Sequence, residues 1–260
     1  MLVTGAGSGM GLRIAERHAQ RGHAVIAMDR HLSGPARTQL QEVTRGRVYF
    51  AEVDVRDGEA VDRALTRGVE VLGPLALAIN CAGVQHAAAF TDLSQEAFQR
   101  VVDINLIGSR NVAAAALAHL GSGGHLVLVA SMAGLVATYA YAAYCASKFG
   151  VVGLAAVLRL EVAPRGIDVS VVCPPEVKTP MVTEEQRSML APTRAMKAVT
   201  GTLELEDAVR EIMTGIDKRR RVIIPGASAR RTAVLSKILP RRVLDLVSDN
   251  IVRRALSAAT

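Results

Sequence analysis

Short apolar runs ending in Gly, Asn or Asp alternate along this chain with longer stretches of helical period. Residues 2–4, 23–29, 47–54, 75–80, 125–131, 168–173 and 221–224 read as strands, and 9–21, 57–72, 94–120, 141–164 and 204–217 as helices. The strand-like runs lack polar alternation, which suits strands covered on both faces, as in a parallel sheet with crossover helices. The pattern predicts an α/β fold: a doubly wound parallel sheet of about seven strands with helices on both faces, in a single domain. Gly121-Ser122-Gly123-Gly124 reads as a tight helix-to-strand turn. Two stretches break the rhythm. Residues 174–203 open on Pro174-Pro175 and carry Pro180 and Pro192, so no long helix is expected before about 181; they read as a lid over a substrate. Residues 228–260, after Pro225-Gly226, form a tail of alternating basic and apolar character.

The first turn is rich in glycine: Thr4-Gly5-Ala6-Gly7-Ser8-Gly9-Met10-Gly11 lies between a strand and a helix. Glycine permits a tight turn and close backbone approach, and a helix N-terminus favours a pyrophosphate. Asp29 ends the second strand, 18 residues after Gly11, where a carboxylate can accept both ribose hydroxyls of an adenosine. Asp54 closes the third strand beside the same crevice. A carboxylate at Asp29 repels a 2′-phosphate and favours NAD over NADP, whereas Arg30 could pair with that phosphate. Further along, Tyr144 and Lys148 stand four apart on a helix and share one face. An ammonium there can lower the pKa of a phenol, about 10 when free. Together they suggest proton transfer coupled to hydride transfer.

The spacing Gly5-x-x-x-Gly9-x-Gly11, with Asn80-Cys81-Ala82-Gly83, Asn105, Ser131 and Tyr144-x-x-x-Lys148, resembles the short-chain dehydrogenase/reductase family over about residues 2–225. The resemblance implies a Rossmann-like fold and a catalytic tetrad of Asn105, Ser131, Tyr144 and Lys148. Ser131 would bond the substrate oxygen, Tyr144 would give or take its proton, and Lys148 would bind the nicotinamide ribose and hold the phenol's pKa down. Asn105 would position a water linking Lys148 to solvent. Cofactor contacts implied are Gly5, Ser8, Gly9, Met10, Gly11, Asp29, Arg30, Asp54, Val55, Asn80, Ala82, Gly83, Tyr144, Lys148, Pro174, Val177 and Thr179. Cys81 departs from the family's usual second Asn, and Pro174-Pro175 from its Pro-Gly. Relatives are commonly dimers or tetramers joined through the helices near 97–120 and 141–164, so a homo-oligomer is implied.

Composition places the charge. The 260 residues carry a net +7, yet 216–260 hold 11 Lys/Arg against 3 Asp/Glu, so the body is close to neutral. The tail could rest on an anionic membrane surface, or cover the body or a partner subunit. With few aromatics and no recognised motif, no nucleic-acid partner is expected. Cys81, Cys145 and Cys173 read as reduced core residues without metal-ligand spacing, so no metal is expected. No apolar run approaches the roughly 18–20 uncharged residues that span a bilayer. No secretory signal is visible at Met1-Leu2-Val3-Thr4-Gly5. The expected location is cytoplasmic, with membrane association through the tail left open.

Substrate identity is harder to read. Gln85, His86 and Glu176 could face a substrate, and Met181, Met189, Leu190 and Met196 make the lid apolar. Pro174-Pro175-Glu176-Val177-x-Thr179-Pro180 and Ile223-Ile224-Pro225-Gly226 resemble the branch containing 3-ketodihydrosphingosine reductases. These features point to 1–227 as a dinucleotide-binding catalytic domain, 174–203 as its lid, and 228–260 as a basic amphipathic extension. The expected reaction interconverts a secondary alcohol and a ketone on a hydrophobic lipid-, 3-oxoacyl- or steroid-like molecule. The alternative is a dinucleotide-sensing protein that keeps the fold without turnover.

Overall fold

A computed structural model describes residues 1–179 and 189–258. Seven strands form one parallel sheet: β1 (Leu2–Thr4), β2 (Val25–Asp29), β3 (Val48–Glu52), β4 (Leu75–Asn80), β5 (Leu120–Val129), β6 (Asp168–Val172) and β9 (Val222–Ile223). Their order is β3-β2-β1-β4-β5-β6-β9, so the winding reverses between β1 and β4. A crevice opens at such a switch point, beyond the carboxyl ends of the strands.

Period-2 alternation is present, but both of its faces are apolar. Leu2, Ile26, Met28, Leu126 and Leu128 point to one side and meet α3 (Gly58–Leu72), α5 (Gly108–His119) and α6 (Ala142–Val162) through Leu65, Val112 and Val151. On the other side Val3 and Ala27 pack with Ala15 of α1 (Gly9–Gln20) and Leu40 of α2 (Gly34–Val43). Val127, Val129 and Val172 meet Ile212 and Met213 of α8 (Leu205–Asp217). Full burial of each large side chain contributes about 1.5–3 kcal/mol.

The expected 94–120 helix is three pieces: α4 (Gln95–Val102), a wider π turn over Asp103–Ile107, and α5. By length and composition 95–119 could cross a membrane, although Asp103 and Arg110 interrupt it and half of its apolar window is buried. Val112, Ala113 and Ala116 spend that hydrophobicity on the core. Nor is Gly121–Gly124 a plain turn. It belongs to β5, whose pairing with β4 jumps from Leu75↔Leu120 to Leu77↔His125, with Gly123 at a φ of 80° taking up the excess.

Within the interrupted stretch, β7 (Glu176–Val177) pairs in parallel with β8 (Thr202–Leu203), and α7 (Ala191–Thr200) lies between them in sequence. Pro180 and Met181 lie outside the described residues. The tail is two helices, α9 (Ala227–Ile238) and α10 (Arg241–Ser257). Ala229 and Ala233 of α9 pack on Met132, Leu135 and Ile224, while α10 packs on α7.

Two buried histidines give the fold a pH dependence. Burial pushes His18 and His125 down to about 4 from an ordinary 6.5; the His125 ring also meets Ser170 Oγ at 2.7 Å. Between pH 6.5 and 4 the unfolded chain therefore binds more protons, so stability falls as pH falls through that window. Each residue contributes up to about 1.4 kcal/mol per pH unit there. Urea midpoints measured from pH 7 to 5 are expected to drop, and His18→Leu to flatten the slope. An unchanged slope in that variant would remove His18 from the account.

Candidate active site

The glycine turn is shaped for close approach. Gly5 and Gly9 have φ of 67° and 53°, a left-handed backbone that side chains disfavour. A Cβ at Gly7 would lie 2.4 Å from the His31 carbonyl, and one at Gly11 2.1 Å from that of Gly5. Ser8 is the N-cap of α1 but makes no side-chain capping bond, and the first turn carries no acid, leaving the helix N-terminus suited to a phosphate.

Asp29 secures this turn. It accepts the Gly7 N–H at 2.9 Å on one oxygen and the His31 N–H at 3.1 Å on the other, each oxygen keeping a lone pair for a ribose hydroxyl. Arg30 is exposed. Asp54 is held by Arg56 at 2.6 Å, and that hydrogen bond keeps its carboxyl below the usual range. The Val55 side chain is buried and its carbonyl takes the Asn111 amide at 3.0 Å. Thr179 stands 3.6 Å from where a Gly9 Cβ would be, bringing the segment after β6 over the turn. These residues fit a dinucleotide.

The Asn80 side chain is buried, bonded to Thr4 Oγ1 and, at 2.8 Å, to Ser109 Oγ; it ties β4 to β1 and α5, leaving its backbone to face the crevice. Cys81 and Gly83 line the cavity, with Ala82 donating its N–H to Thr4 Oγ1 at 3.1 Å.

The four tetrad residues converge. Ser131 follows β5, and its hydroxyl accepts the Ala133 N–H at 3.2 Å and shares a hydrogen bond with Tyr144. Lys148 lies one turn along α6, its Nζ 5.6 Å from the Tyr144 ring centroid and donating to the Val129 carbonyl at 3.0 Å. Asn105, fully buried in the π turn, accepts the Val84 N–H and donates to the Val84 carbonyl, both at 2.8 Å, and reaches Ser147 Oγ at 3.0 Å. Its own carbonyl accepts the Ser109 hydroxyl at 2.5 Å. The side chain thus clamps the loop after β4 beside Lys148, whose Nζ is 3.4 Å from a Cβ placed on Gly83.

Burial pushes the Tyr144 phenol up from 10, against the Ser131 hydrogen bond and the charge of Lys197. Lys148 is itself lowered to about 8 by burial.

Above the tetrad opens a cavity of about 570 Å³. Pro174, Val177, Thr179, Gln85 and Glu176 line it, and so does Met196, whose sulfur accepts the Tyr139 N–H at 3.3 Å. His86 and Leu190 are exposed, and Met189 is buried. The tail supplies the wall that sequence reasoning missed: Leu235, Leu239, Leu244, Val247 and Ile251. The spacing 244, 247, 251 is that of one helical face, yet nothing local says what the face covers.

Comparison with known proteins places this geometry. A family model described as short chain dehydrogenase matches residues 1–190. The 3-dehydrosphinganine reductase TSC10A of Arabidopsis thaliana is 37% identical over 221 residues, covering 82% of this chain and 67% of that protein. The 3-hydroxyacyl-CoA dehydrogenase type-2 of Bos taurus is 33% identical, covering 73% and 78%. A crystal structure of a short chain dehydrogenase from Mycobacterium paratuberculosis bound to NAD aligns with a TM-score of 0.76 at 28% identity, covering 88% of this chain and 97% of that one.

Proposed function

The chain belongs to the short-chain dehydrogenase/reductase family, enzymes of CH–OH oxidoreduction with NAD or NADP, and from that premise we propose that it interconverts a secondary alcohol and a ketone on a hydrophobic, lipid-like substrate. The observation that carries this reading is the Tyr144 hydroxyl, hydrogen-bonded to Ser131 at a cavity walled by Leu235, Leu244, Val247 and Ile251. When bound, the nicotinamide supplies or accepts the hydride. Ser131 bonds the substrate oxygen, and Tyr144 passes its proton to that oxygen as negative charge gathers there. Burial keeps the phenol protonated through neutral pH, the state that ketone reduction needs. Lys148 holds positive charge beneath the ring, and Asn105 fixes the loop that carries Gly83.

The names of the sphinganine and hydroxyacyl relatives support a chain-bearing carbonyl. Exposed Leu235 and Val247 also line the cavity, so an aliphatic chain can run from the reaction centre to the surface. Ile238 and Leu246 are 72% and 60% exposed among the tail's arginines, which supports contact with an anionic membrane. Exposed Phe149, Val157 and Leu160 on α6 support a homo-oligomer.

The test mixes purified protein and NADH or NADPH with long-chain ketones, 3-oxoacyl thioesters, ketosteroids and short polar ketones. Loss of the reduced-nicotinamide absorbance is expected with an apolar member, faster with NADH because of Asp29. Turnover confined to short polar ketones would contradict the hydrophobic assignment.

A further inference from the structure

One ion pair is set into the wall of the reaction cavity. Glu176 of β7 and Lys197 of α7 bind each other with side chains only 8% and 15% exposed, and both line the cavity that holds Ser131 and Tyr144. Glu176 also accepts the Thr202 hydroxyl of β8 at 3.1 Å. Lys197 donates to the Tyr141 hydroxyl at 3.2 Å, with Nζ 5.6 Å from that ring's centroid. Tyr141 meets Tyr144 edge to face, ring centres 5.4 Å apart, so one aromatic ring stands between the pair and the reaction centre. The carboxylate is thus anchored to β8 and the ammonium to the start of α6.

Taking two charges out of water is expensive, and well-packed apolar residues of similar volume are often as stable or more so. The tail's side of the cavity is built in that apolar way, from Leu235, Leu244, Val247 and Ile251. A purely aliphatic ligand would strip the remaining water from Glu176 and Lys197 and offer no hydrogen bond in its place. A ligand with a polar group at this point makes that bond. Arg241 and Asp245 of α10 also line the cavity and pair at 3.1 Å, but at 87% and 57% exposure water satisfies them. Selection therefore falls to the buried pair.

Charge decides which polar group suits it. The pair is neutral as a unit. A ligand ammonium would compete with Lys197 for the carboxylate, and a ligand carboxylate with Glu176 for the ammonium; either leaves a buried charge in excess. A hydroxyl gives its proton to Glu176 and a lone pair to Lys197 and adds no charge. We propose that Glu176 and Lys197 form a recognition subsite for a substrate hydroxyl, distinct from the oxygen held by Ser131 and Tyr144, with the aliphatic part of the substrate on the tail's side. The substrate class is then a long-chain hydroxy ketone, interconverted with its diol. Hydride from NADH reaches the carbonyl carbon and a proton reaches its oxygen, while the recognised hydroxyl is neither oxidised nor reduced.

This deepens the alcohol–ketone reading and rests on it, so the test reads binding rather than turnover. Calorimetry on NADH-loaded protein measures alcohols of one medium chain length: a simple secondary alcohol, and analogues with a hydroxyl, an ammonium or a carboxylate one to three carbons from the carbinol. Alcohol and NADH are both reduced, so nothing reacts. The diol is expected to bind about tenfold tighter than the simple alcohol and than either charged analogue. In the double variant Glu176→Leu, Lys197→Met the diol's advantage is expected to fall within about twofold. Glu176→Gln leaves the ammonium unopposed and is expected to move the preference to the carboxylate analogue. Equal binding of diol and simple alcohol by wild type, a charged analogue binding best, or an advantage that survives the double variant would overturn the proposal. If the double variant does not fold, an unmoved preference in Glu176→Gln does the same. Failure of the alcohol–ketone reading shows differently, as Tyr144→Phe retaining turnover.

Discussion

Tyr144→Phe is expected to lower kcat/KM for ketone reduction by about 10²–10⁴-fold while NADH affinity stays within about twofold. The substitution removes one oxygen and leaves the ring, so edge-to-face packing on Tyr141 at 5.4 Å is kept. What disappears is the proton held next to Ser131. Ser131 can still bond the substrate oxygen, but negative charge developing there has no acid within reach and must wait for water. Steady-state kinetics against the identified ketone, with NADH binding followed by fluorescence, separates the two effects. Equal, slow cofactor consumption by both proteins on every ketone would favour the dinucleotide-sensing alternative.

The second large effect is at the phosphate turn. Gly11→Ala is expected to cost about 3 kcal/mol or more and to weaken NADH binding about tenfold or more. The new Cβ would sit 2.1 Å from the Gly5 carbonyl oxygen, far inside contact distance. Gly5 cannot yield, because it is left-handed and its own α-carbon lies against the Cys81 and Ala82 backbone, where a Cβ would come within 2.9 Å. Either the start of α1 or the turn must move, and both carry the N–H groups meant for the pyrophosphate. Gly121→Ala is the control: it is exposed in β5 with nothing within 4 Å of its Cβ, so it is expected to be neutral or mildly stabilising. Thermal melts and NADH titration of the two variants check the contrast. Equal behaviour would mean that the close approach at Gly11 is immaterial.

Some of this was legible before any coordinates. The seven strand runs stand out because burial on both faces leaves them apolar between their ends, Glu52 and Ser170 aside, and the glycine turn because close approach allows only glycine. The four tetrad positions come from the resemblance to the family, through motifs that stand in the family's order. What was missed was set by tertiary context. α2 starts at Gly34-Pro35 and is not among the helical stretches read from the sequence, yet the Ser33 hydroxyl caps it by accepting the Ala36 N–H at 3.4 Å. Residues 94–120 have one continuous helical period, and the π turn that buries Asn105 leaves no mark in it. Spacing put Tyr144 and Lys148 on one face correctly, but it says nothing about Val129, whose carbonyl takes the ammonium. Glu176 and Lys197 meet as an ion pair that no local spacing signals. The tail's basic and apolar alternation is the same whether its apolar face meets a membrane or a cavity. The structure puts part of that face, Leu244, Val247 and Ile251, on the cavity.

The central claim is hydride transfer between nicotinamide and a carbonyl carbon at the Tyr144 site. The most direct measurement uses NADH deuterated at C4, in each of its two stereoisomers, with the apolar ketone that the protein turns over, and analyses the alcohol by mass spectrometry. The account expects deuterium on the carbinol carbon from one isomer only, and loss of that transfer in Tyr144→Phe. Alcohol without label from either isomer, or labelled equally in the variant, would contradict it.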